Sequence, residues 1–131
     1  MGYNIELSIH LVKCGNFSEL ENMVLVFADK YGCENIYEFS EEEGRTKIPR
    51  CHQMMVVTFS KHNFENLLEF IKQIKKIKQI HIESVYYDES NSKLIYASPY
   101  YLKNIDKDIA IRYKRERSYS EEEIRVINVI S

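Results

Sequence analysis

From Asn4 to Lys13 the chain alternates without a break: Ile5, Leu7, Ile9 and Leu11 take every second position, with Glu6, Ser8 and His10 between them. Successive side chains of an extended strand point to opposite faces, so this run is satisfied only as a strand with one face buried and the other open. Everything else in the chain has to supply that strand with partners and a cover.

Two amphipathic helices are available as the cover. In NFSELENMVLVFADKYG, Ser18 and Glu21 have capping-box spacing, Leu20, Met23, Val24, Phe27 and Tyr31 form an apolar stripe, and Gly32 is a stop signal. In HNFENLLEFIKQIKKIKQ, Phe64, Leu67, Leu68, Ile71, Ile74 and Ile77 line one side, with Lys72, Lys75, Lys76 and Lys78 towards the flank. Further strands are expected in ENIYEFS, CHQMMVVTFS, IHIESVYYDE and KLIYAS, the last two joined by a hairpin through Ser90, Asn91 and Ser92. EEEGRTKIPR reads as an exposed loop.

The resulting order, strand, helix, strand, strand, helix, strand, predicts an α+β, ferredoxin-like βαββαβ antiparallel sheet with two helices on one face, plus an extra strand. Residues 1–98 would form this domain, and residues 99–131 a C-terminal extension whose Ser120 and Glu123 predict a capped short helix.

Strand parity then assigns the open face. It would carry Glu6, Ser8 and His10 from the first strand and His52, Met54, Val56 and Thr58 from the third. If Ile80 and Ile82 face the helices, the fourth strand adds His81, Glu83, Val85 and Tyr87. FADKYG at the end of the first helix and VVTFS on the third strand resemble RNA-recognition motifs over roughly the first ninety residues. In that family aromatic residues on the first and third strands stack bases, each worth roughly 1–3 kcal/mol. Aligned on VVTFS, the aromatic positions of the third strand fall at Met54 and Val56, so the resemblance implies the shape and not the RNA chemistry. IYASPYYLKN, the RERSYSEEE tail and the composition bias also resemble proteins of large amoeba-infecting DNA viruses, a likeness that brings no site residues.

The 131 residues are 44% hydrophobic and 29% charged, enough for a single core, and the formal charge of -2 supplies no general attraction to phosphate. Cys14, Cys33 and Cys51 lack CxxC spacing, which points to a reducing, intracellular setting; for a viral protein that means host cytoplasm or virion. The alternation at the N-terminus predicts neither a leader nor a membrane span there. No nucleophile elbow, HExxH or phosphate-cradling glycine loop is present, so a non-enzymatic role without a cofactor is expected. His10, Glu6, His81 and Glu83, or Cys14, Cys51 and His52, could be brought together as metal ligands, but an alternating solvated face and free thiols account for them more simply.

The surface singled out is apolar: Met54 and Val56 with Val85 and Tyr87, flanked by His10 and His52, a patch suited to a second copy of the chain or another protein. The alternative is nucleic-acid contact through Lys72, Lys75, Lys76 and Lys78 on the second helix and Arg112, Lys114, Arg115 and Arg117 in the extension. A tail ending in VINVI could also fold back over the apolar patch.

Overall fold

The computed structural model describes residues 4–12, 17–40, 51–87, 93–116 and 118–131. The expected loop at 41–50 and the hairpin turn at 90–92 lie outside them. Among the described residues five strands form one antiparallel sheet: β1 (Asn4–Val12), β2 (Asn35–Ser40), β3 (Cys51–Ser60), β4 (Ile80–Tyr87) and β5 (Lys93–Ala97), in the order β2-β3-β1-β4-β5. The alternating run is central, as its pattern requires: Ile5, Leu7, Ile9 and Leu11 are completely buried. Met55, Val57 and Phe59 share that face from β3, as parity predicts.

Helices α1 (Phe17–Lys30) and α2 (Phe64–Lys75) cover this face. α1 starts at Phe17, so Ser18 belongs to its first turn and is not the expected cap; Met23, assigned to the stripe, is 39% exposed, while Leu20, Val24 and Ala28 are buried. The stop at Gly32 is a left-handed residue (φ 76°), with Gly32 N–H donating to the Asp29 carbonyl at 3.1 Å and Cys33 N–H to Ala28 at 3.0 Å, the paired bonds of a Schellman ending. α2 buries Phe64, Leu67, Leu68, Phe70, Ile71 and Ile74; Phe70 packs on Phe59 with ring centroids 5.2 Å apart.

The described residues of the extension form three helices, α3 (Pro99–Asn104), α4 (Lys107–Arg115) and α5 (Glu121–Ile130), which divide between the two sides of the sheet. α5 joins the helical layer: Val126 is completely buried in the core, and Arg125 makes a bidentate pair with Glu65 of α2 at 2.7 and 2.9 Å. Lys75 of α2 donates to the carbonyls of Val129 and Ser131 at 2.8 and 3.3 Å. The VINVI segment therefore packs beside α2, on the helical side of the sheet, instead of folding back over the open face. α3 and α4 lie on that other face, against β4 and β5: the Tyr86 and Tyr101 hydroxyls are 3.1 Å apart, and Ala97 N–H donates to the Tyr113 hydroxyl at 3.2 Å.

The expected box at the start of α5 is formed in full. The Ser120 hydroxyl accepts from Glu123 N–H at 3.1 Å, and the Glu123 carboxylate accepts from Ser120 N–H at 2.7 Å. Because α5 brings Val126 to the core, this cap acts on the whole domain. Ser120→Ala is expected to lower the unfolding free energy in urea by about 1 kcal/mol and Ser120→Asn by much less; equal losses would show that the cap contributes nothing specific.

Candidate interaction surface and the cleft beside it

The register of β4 decides what the open face carries. Ser8 pairs with Ser84 but Ile9 pairs with Ile82, so Glu83 is an extra residue, a bulge on β4. Parity is reset there. Ile80 and Ile82 face the helices as expected, but Val85 pairs with Leu7 and Tyr87 with Ile5, which puts both on the covered face, 0% and 6% exposed. Their expected place in an open apolar patch is thus corrected: one inserted residue shifts every later side chain to the opposite side. Tyr87 serves this chain's own tail instead. Its hydroxyl donates to the Glu122 carboxylate of α5, and Lys61 lies over its ring at 4.9 Å and 3.6 Å from the same carboxylate.

What remains on the open face falls into two halves. On the β2-β3 half, Met54 and Val56 are partly exposed, and β2 adds a residue that the parity reading of β1, β3 and β4 left out. Tyr37, opposite Val56, is 53% exposed, and its hydroxyl accepts from Asn35 Nδ2 at 3.2 Å. Phe39 is opposite Met54 in the same register. β2 is an edge of the sheet, paired among the described residues with β3 alone. Ser8 and Thr58, expected to be open, are buried. The signal for Tyr37 was present: the alternation in NIYEFS assigns a face to β2 as soon as its pairing with β3 is known.

On the β4-β5 half, α3 and α4 cover the sheet. Glu83, buried at the bulge, accepts a hydrogen bond from the Ser98 hydroxyl, and the Ser98 oxygen accepts from Tyr101 N–H at 3.1 Å, so the bulge carboxylate holds the start of α3. Between α4 and the two strands a cleft of about 330 Å³ remains, bordered by Tyr86, Leu94, Ile109, Arg112 and Tyr113.

Only some of the residues considered as metal ligands have described side chains. Glu83 is engaged by Ser98, Glu6 is opposite Tyr86, and His81 is opposite His10, whose side chain lies outside the described residues. The side chains of Cys51 and His52 and the whole of Cys14 lie outside them too. Among the described residues no three His, Cys, Asp or Glu side chains are grouped to hold a metal ion. The Cys33 thiol is partly buried, its pKa pushed up by that burial and then by Asp29. The basic segments are on opposite sides of the sheet. Lys72 pairs with Glu69 at 3.2 Å and Lys75 holds α5, whereas Lys76 and Lys78 are exposed; Arg112, Lys114 and Arg115 are exposed on α4, and Arg117 lies outside the described residues. No described helix is long and apolar enough to cross a membrane.

No protein-family model, curated protein or solved structure matches the chain.

Several tyrosines share one electrostatic tendency. The Tyr86, Tyr87 and Tyr96 phenols all have pKa values raised above the usual value, in each case first by burial; Tyr101 adds to the effect at Tyr86 and Glu122 at Tyr87. Lys61 is raised as well, chiefly through its hydrogen bond with Tyr87. A group whose pKa is higher folded than unfolded contributes fully below its unfolded value and loses that contribution as the pH climbs towards the folded one. Stability measured in urea is therefore expected to decline progressively above about pH 10, the unfolded tyrosine value. Tyr86→Phe is expected to make that decline shallower; an unchanged alkaline limb in this variant would refute the assignment.

Proposed function

We propose that this chain is a non-enzymatic, ferredoxin-like interaction module that self-associates through the β2-β3 half of its open face and the adjoining β2 edge. The order β2-β3-β1-β4, with α1 and α2 together on one side, supports the ferredoxin-like description. The observation that carries the interaction reading is Tyr37, a half-exposed ring on an edge strand beside Val56 and Met54. An edge strand offers unpaired backbone donors and acceptors, and tyrosine is among the residues that concentrate binding energy at interfaces. Self-pairing is favoured because a two-fold axis normal to an edge strand lets the same donors, acceptors and ring serve both copies. The β5 edge, in contrast, is in contact with α4 and α5.

Nucleic-acid contact is the second reading. It draws on the three exposed cations of α4, but it is weakened by the engagement of Lys72 and Lys75 and by the sheet that lies between the two basic segments. A resemblance to RNA-recognition motifs adds a layout, and Tyr37 alone makes a poor platform for successive bases.

Sedimentation of the full chain over a wide concentration range tests the first reading. A reversible dimer is expected, weakened roughly 30-fold by Tyr37→Ala, as for an interface anchor worth about 2 kcal/mol. Ile111→Ser, at an exposed position of α4, should leave it unchanged. A monomer at the highest concentrations would overturn the proposal. Shifted migration of single-stranded RNA at low salt, lost in a triple Gln variant of Arg112, Lys114 and Arg115, would favour the second reading instead.

A further inference from the structure

The cleft on the other half of the open face differs in chemistry from the β2 strip. Its sheet side is formed by Leu94, which is buried, and Tyr86, which is partly buried; its helix side is formed by Ile109 and Tyr113. Arg112, exposed on α4, stands at the rim. The volume of about 330 Å³ lies within the range of small-molecule sites, and apolar or aromatic walls with a few placed polar groups are their usual lining.

We infer that this cleft binds a small organic monoanion with a flat apolar body, the body between the Leu94 and Ile109 sides and the anionic group on Arg112. The two rings and two aliphatic side chains suit a planar hydrocarbon better than a sugar or a peptide, whose polar groups would lack partners against such walls. The Tyr86 hydroxyl is already engaged with Tyr101, so that ring acts as an apolar wall. The Tyr113 oxygen accepts the Ala97 N–H and its own proton can be donated to a ligand.

The charges around the cleft select for one negative charge. Lys93 also borders it, but its ammonium is held by the Ser118 carbonyl at 2.6 Å and the Glu123 carboxylate at 3.2 Å, and lies over the Tyr119 ring at 4.8 Å. Arg112 is left as the cation for the ligand, with a planar fork matched to a carboxylate. Glu116 is on the same rim, and its charge disfavours a second negative charge such as that of a phosphate monoester. This inference is independent of self-association through β2, whose strip lies at the other end of the sheet.

The test uses 2-naphthoate and its neutral counterpart 2-naphthamide, titrated into the full chain while backbone amide signals are followed by NMR. Saturable shifts centred on Tyr86, Leu94, Ile109 and Tyr113 are expected, with naphthoate bound about tenfold more tightly, the size of one charge-assisted contact. Arg112→Gln should remove that preference while leaving the fold intact, since Arg112 is exposed. Ile109→Trp, which fills the cleft from the helix side, should weaken both probes. Absence of saturable binding up to millimolar probe, shifts centred on Tyr37 and Val56, or an undiminished preference for the anion in Arg112→Gln would each overturn the inference.

Discussion

The burial of one face of β1 is the constraint on which the rest of the structure depends. Four side chains in a row, Ile5, Leu7, Ile9 and Leu11, have no exposure at all, and at roughly 1.5–3 kcal/mol for each buried aliphatic side chain they form a large local share of the hydrophobic stabilisation. A strand so placed must be central, because both backbone edges need pairing; it has β3 on one side and β4 on the other. Each neighbour inherits its facing from β1 through the register. The two sides of the sheet then have separate tasks, one closing a core with α1, α2 and α5, the other meeting solvent, α3 and α4.

This dependence also explains what could be read from the residues alone. β1, β3 and α2 carry strong single periods, and the positions assigned to their buried faces are buried in the structure, except Ile77, which lies past the end of α2 and is only partly buried. β4 does not carry one. IHIESVYY alternates up to Glu83 and, after the polar pair Glu83-Ser84, resumes out of phase; that break is the local trace of the bulge, and an unbroken parity reading passes over it. The phase of Val85 and Tyr87 is set by pairing with Leu7 and Ile5, a long-range matter. The error at these two residues therefore came from extending a local rule past the point where tertiary pairing overrides it. Tyr37 was missed for a simpler reason, since β2 had been given no face.

The extension was only partly legible. Ser120 and Glu123 announced α5 because a capping box is a local, reciprocal arrangement of two side chains with two amides. α3 and α4 carried weaker signals of the same kind. Ser98 followed by Pro99 is a cap with proline in the first turn, and the Asp106 carboxylate accepts from Asp108 N–H at 2.8 Å. Their docking was not legible, because it depends on Glu83 being exposed to Ser98 by the bulge and on the placement of Tyr86 opposite Tyr101. The cleft is a product of that docking, so no local pattern could announce it.

The position of Val126 has a consequence for how the domain comes into being. The centre of the sheet is laid down by the opening residues, yet the helical layer above it closes only with a side chain near the other end of the 131 residues. During translation, β1 with its apolar row emerges early and stays without its full cover until the ribosome has released the segment beyond residue 120. Over that interval the apolar row lacks one of the side chains that complete its cover, so closure of the core is a late event in the making of the chain.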